Sequence, residues 1–182
     1  MSFDDTKNGG VTVRDFLCRQ FDIAWALTAY HLDGLTTEEC LWRPAQKGLH
    51  VQSTDDGRWQ ADWPDHEGYD IGPASIAWTT WHIGFWWSMA LDHSDGDGTL
   101  SKDEISWPGS ADAVRVWIDQ LQERWRTLLM QCSDSDLRSS KRTRWPIQDR
   151  PFGDIVAWVN VELMKNAAEI GLVRFLYAVR AG

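Results

Sequence analysis

Residues 73–92 read PASIAWTTWHIGFWWSMALD. Pro73 suits the first turn of a helix, where its missing N–H costs nothing. After it, only Gly84 interrupts the run of helix-compatible residues. Trp78, Trp81, Trp86 and Trp87 crowd the segment, and His82 lies in its middle. Trp78, Phe85, Trp86 and Met89 stand at i−4, i+3, i+4 and i+7 from His82, so they share its helix face. An imidazole buried among them needs a partner, because an unpaired buried polar group costs about 1–3 kcal/mol. His82 therefore reads in two ways. It is a core histidine bonded to a backbone carbonyl or carboxylate, or it is a metal ligand or proton-transfer group.

The chain around this helix suggests one domain spanning residues 1–182, long enough to bury a full core. Apolar residues make up 43% and charged residues 25%, an ordinary soluble balance. The 13 tryptophans depart from that balance, and each brings an indole N–H that needs an acceptor when buried. A net charge of −9 argues against a sequence-independent nucleic-acid binder and against an anionic membrane partner. Ser, Thr and His within 73–92 argue against a membrane span. MSFDDTKNGG has neither the basic nor the apolar region of a signal peptide. Cys18, Cys40 and Cys132 are odd in number and far apart, as expected of reduced thiols in the cytoplasm.

Residues 1–11 are polar, and a frayed start is expected. Thr12 and Asp15 resemble a capping box opening a helix over about 13–34. Its stripe is Leu17, Phe21, Ala24 and Leu35, with Thr28 and His31 expected to be partly exposed. Thr36 and Thr37 cap a short turn through Cys40, which Arg43-Pro44 ends. Residues 43–72 make a long connection, and such connections are more often functional than idle. Within it, Asp55-Asp56-Gly57 separates two alternating segments, His50–Thr54 and Arg58–Trp63, and predicts a small β-hairpin. Ser110 caps a third long helix over 111–131, with Val114, Trp117, Leu121, Trp125 and Leu128 as its stripe.

Two charged stretches invite specific readings. HSDGDGTLSKDE, residues 93–104, places Asp95, Asp97, Gly98, Leu100 and Glu104 at EF-hand positions 3, 5, 6, 8 and 12. His93 stands where position 1 wants Asp, and Trp107-Pro108-Gly109 removes the exiting helix, so a solvated acidic loop is the expectation. Arg138, Lys141, Arg142 and Arg144 form a basic patch within 133–153. It offers contact with an anionic substrate group, but a solvated loop is again the expectation.

The last helix is expected over about 154–179. Its stripe reads Ile155, Val159, Glu162, Asn166, Glu169 or Ile170, Val173, and Phe175 or Leu176. Glu162 and Asn166 lie one turn apart where a core helix wants Leu or Val. A buried carboxylate is rarely tolerated unless it is paired or bound to a metal. If this face meets that of His82, the three polar intruders form one cluster. Four long amphipathic segments without a strong sheet signal imply an all-α four-helix bundle, and bundles build metal sites from inward side chains. One nitrogen and two oxygens suit Zn²⁺, Ni²⁺, Fe²⁺ or Mn²⁺ with open positions for water, although a neutral Asn oxygen is a weak ligand. The other reading is a hydrogen-bonded His–Glu–Asn network that sets helix register.

Four segments together resemble the DinB/YfiT-like family. SIAWTTWHIGFWW is similar to its Trp-rich second helix with a His inside, and LDGLTTEECLWRP to the segment after its first helix. EISWPGS resembles the lead-in to its third helix. WVNVELMKNAAEIGLVRFL resembles its last helix, which normally bears a His-x3-His pair. The resemblance implies a DinB-like four-helix bundle, often dimeric, with a divalent metal held by three histidines. It also implies relatives that are transferases and isomerases dependent on thiol cofactors. By the same resemblance His82 matches the ligand on the second helix. Glu162 and Asn166 stand where the two histidines of the last helix would be, and Glu169 where a Gln would be. The expected function is thus a metal-dependent thiol transferase or hydrolase with a degenerate site. His82, Glu162 and Asn166 would be its ligands, and Glu162 either a ligand or a general base. The alternative is a non-catalytic small-molecule-binding bundle that has lost the metal, with a Trp-lined pocket around the same residues. A third reading, a calcium-binding interaction protein, rests on residues 93–104 alone. A Trp-rich apolar face would suit a homodimer.

Overall fold

The structure is a computed structural model, and it describes residues 10–66 and 68–180. The frayed start expected for residues 1–11 falls outside the described residues as far as residue 9. Four long helices dominate: α1 (Val13–Leu32), α3 (Ile76–Asp95), α4 (Ala111–Gln131) and α6 (Phe152–Ala178). Two short helices, α2 (Thr37–Leu41) and α5 (Asp134–Arg138), sit in the connections. The bundle closes in the order α1–α6–α3–α4, with α4 returning to α1. α1 and α6 run in the same direction. Asn160 Nδ2 donates to the Leu17 carbonyl near one end, and Arg174 Nη1 donates to the His31 carbonyl near the other.

Local chemistry accounts for the helix starts. Thr12 and Asp15 form the expected capping box. Thr36, Ser110 and Ser133 each accept from the backbone N–H three residues on. The hairpin is also as read, with β1 (Val51–Ser53) antiparallel to β2 (Trp59–Ala61) and Gln52 opposite Gln60. Gly57 in its turn has a φ of 80°, where a side chain would be strained.

Both ends of α3 differ from the sequence expectation of 73–92. Pro73 is not in its first turn, because Ala74 bridges Leu49 and Ser75 N–H donates to the Leu49 carbonyl. That pairing holds residues 73–75 extended, so Ser75 becomes the cap. At the other end the helix runs on to Asp95. Arg144 donates to the His93 and Gly96 carbonyls and Arg142 to the Ser94 carbonyl. Cations there satisfy end carbonyls and oppose the helix dipole. The acidic and basic stretches, each expected as a solvated loop, therefore meet, and Arg142 also pairs with Asp95.

The core is built from Phe21, Ile76, Trp81, Trp87, Trp107, Trp125 and Phe152 and their neighbours, all nearly fully buried. Thr28, expected to be partly exposed, is fully buried, and its hydroxyl donates to the Ala24 carbonyl at 2.8 Å. On α4 the buried stripe passes through Ile118, and Trp117 is only partly covered. On α6 the stripe ends at Val173, leaving Phe175 and Leu176 exposed. The large exposed apolar residues are mostly not tryptophans, so the Trp-rich face expected for a homodimer is instead the interior. No helix among the described residues is long and apolar enough to cross a membrane.

Candidate functional site

α3 and α6 pack side by side, and their contact brings His82 to Asn166. His82 is buried, its ring stacked 4.8 Å from Trp78 at an interplanar angle of 15°. Trp86, one turn on, donates its indole N–H to His82 Nε2 at 3.0 Å. An indole nitrogen only donates, so Nε2 must offer a lone pair. In the neutral ring the proton then sits on Nδ1, which faces Asn166 Oδ1 at 3.3 Å. The same logic orients the amide, since a flipped Asn166 would set a donor against a donor. Burial, aided by the Lys165 charge, holds the His82 pKa down to about 4, against the opposing pull of Glu162 and Asn166. The ring is neutral at physiological pH.

Glu162 is drawn toward solvent rather than into this pair. Its Oε2 accepts from Lys165 Nζ at 3.0 Å, and its side chain keeps 19% of its exposure. Glu169 lies further along the same edge, where burial pushes its carboxyl up. The cluster expected from sequence is thus assembled in part. His82 and Asn166 touch, and Glu162 borders the crevice they line with Trp86. That crevice holds only about 10 Å³, against roughly 300–1,000 Å³ for small-molecule sites.

This arrangement does not fit the divalent ion that the family resemblance implies. A first-row ion needs lone pairs converging at about 2.0–2.2 Å. Here one ring nitrogen spends its lone pair on Trp86 and the other carries a proton, while a Glu162 oxygen is paired with Lys165. Among the described residues, no group of three or more His, Cys, Asp or Glu is placed to hold a metal. The calcium positions fare no better as a set. His93 and Asp95 lie within α3, and Glu104 accepts from Ser101 in a local cap.

Two features were not read from the sequence. Asn160 is buried on α6 and bonds the Leu17 carbonyl and Gln20, which ties α6 to α1. Its i, i+6 spacing to Asn166 carries no signal of that role. A cleft of about 520 Å³ opens between the hairpin and residues 102–105. Trp59 and Trp81 line it with Arg58, Lys102, Asp55, Asp56 and Asp103. The sequence signal was available only as an unusually long connection.

The DinB superfamily model matches residues 20–170. The chain belongs to the DinB superfamily. No curated protein and no solved structure matches it. In this member of the superfamily, His82 on the second long helix is surrounded by hydrogen-bond partners from its own chain.

Proposed function

We propose that this DinB-superfamily protein is a non-catalytic small-molecule-binding bundle in which the position of the metal has become a closed Trp86–His82–Asn166 network. The observation that carries this reading is that both ring nitrogens of His82 are engaged by the protein itself. The network cross-links α3 and α6, a structural use of a buried histidine. The ligand would enter the cleft beside the partly exposed Trp59 rather than the crevice at Asn166. The partly exposed Trp59 ring beside charges of both signs suits a small organic molecule with an apolar ring and a polar or charged substituent.

The competing reading keeps a degenerate transition-metal site, with His82, Glu162 and Asn166 as ligands. It requires Trp86 to release Nε2 and Lys165 to release Glu162. Elemental analysis of untagged protein, before and after incubation with Zn²⁺, Ni²⁺, Fe²⁺ or Mn²⁺, separates the two. The expected result is no stoichiometric metal and a melting temperature indifferent to EDTA. One equivalent of metal that disappears in His82→Ala would establish the metal site instead. In the same preparation, quenching of tryptophan emission by aromatic acids and amines, weakened by Trp59→Ala, would report occupancy of the cleft.

A further inference from the structure

A second hollow, of about 360 Å³, lies between the end of α2 and the hairpin. That is room for a small organic molecule. Leu41, Val51 and Trp59 supply its apolar wall, and Arg43 and His50 its chemistry. Among the described residues none that lines it is acidic, although the chain carries a net charge of −9.

His50 is the anomaly. It is only 5% exposed, yet neither ring nitrogen has a hydrogen-bond partner among the described residues. Buried polar groups are nearly always paired, so an imidazole orphaned at both nitrogens calls for an explanation. The neighbouring carboxylate does not supply the partner. Asp62 accepts from the His50 backbone N–H through one oxygen and from Gln52 Nε2 through the other. Gly48 lies at the Cε1–Nε2 edge of the ring, where a Cβ would stand 3.3 Å from both atoms. A glycine there presents no side chain to the ring.

Arg43 has the complementary lack. It is exposed, and it pairs with no carboxylate among the described residues. Burial first, and the Arg43 charge second, depress the His50 pKa against the pull of Asp62, so the ring is neutral at physiological pH. A neutral ring offers one N–H, and a guanidinium offers a planar fork of them. One cation and one neutral donor match a monoanion, and a carboxylate is satisfied by both. A phosphate dianion would leave a charge unmatched. Arg43 and Ser53 at the rim are exposed, so their side chains can part to admit a ligand to the covered ring.

We propose that this hollow binds a small aliphatic carboxylate, whose oxygens accept from the Arg43 guanidinium and the His50 ring N–H while its hydrocarbon part lies against Leu41 and Val51. This is independent of the proposed function, since it involves neither the His82 network nor the charged residues of the cleft, and the two hollows share only Trp59.

NMR titration of the full chain with isovalerate tests it, with the His50 imidazole resonances as reporter. The expected result is a saturable shift with a dissociation constant of roughly 1 mM, the scale open to so small a ligand. Isovaleramide, which has the same shape without the charge, should leave the resonances unmoved. Arg43→Gln should weaken isovalerate binding at least about tenfold. Arg19→Gln, at an exposed arginine of α1, should not. His50→Phe should abolish the binding, read at the Val51 amide. If that variant fails to fold, Arg43→Gln, at an exposed position, carries the test. His50 resonances that stay still to about 20 mM isovalerate, that move equally with isovaleramide, or that respond unchanged in Arg43→Gln overturn the proposal. So does inorganic phosphate moving them at a lower concentration than isovalerate.

Discussion

His82 is the residue on which the chemistry of this bundle turns. Its value to the fold depends on staying neutral. Burial holds its pKa down to about 4, well below its ordinary 6.5. Between those values the unfolded chain takes up a proton that the folded chain refuses. Stability is therefore fully present above pH 6.5, falls as the pH drops toward 4, and changes no further from this group below that. The loss amounts to about 3 kcal/mol. His31 and His50, also depressed by burial, slope the same way. Urea unfolding at pH 7 and pH 4.5 should thus show a large acid loss that shrinks in His82→Gln. An equal loss in both proteins would mean that His82 is not the buried neutral ring described here.

Between elements, the contact of α3 with α4 depends on one missing side chain. A Cβ on Gly84 would stand 1.8 Å from Cη2 of Trp117. In an exposed helix, Gly→Ala adds about 0.5–1 kcal/mol. Here Gly84→Ala should instead destabilise by about 1–3 kcal/mol, because a rigid indole must be pushed out of place. Trp117→Ala in the same background should recover part of that loss, measured as the shift in urea midpoint. The sequence showed Gly84 as an interruption of a helical run. What it could not show is that the gap is filled from another helix.

Across the whole molecule, Arg174 joins three pieces of chain. Its guanidinium pairs with buried Glu39 of α2 at 2.9 Å and donates to the His31 and Asp33 carbonyls at the end of α1. Removing it leaves a buried carboxylate without its cation. Arg174→Gln should cost about 2–3 kcal/mol, below the ~3–5 of a fully buried pair because the arginine is partly exposed. Adding Glu39→Gln should restore much of it. Thermal melts of the single and double variants decide this, and additive losses would show that the pair is not coupled.

Periodicity, caps and turn chemistry were sufficient to reveal four long helices, the short turn after the first and the hairpin at Asp55-Asp56-Gly57, and they joined His82, Glu162 and Asn166 in one cluster only on condition that the two helix faces met. All of these arise from interactions within a few residues or from the apolar face that a helix must bury. The partners of polar groups were decided only when the chain folded. Thr28 turned inward to its own helix, and Arg142 and Arg144 moved to the end of α3. Glu162 paired with Lys165 on its own helix, and Trp86 took the lone pair of His82. A hydrogen bond or ion pair depends on ångström-scale position and on which competing partner is nearer, and distance along the chain specifies neither. The α6 series, which runs past buried Val173 to exposed Phe175 and Leu176, shows the same limit. Its spacing is visible in the sequence, but only the packed bundle shows which of its apolar residues remain uncovered.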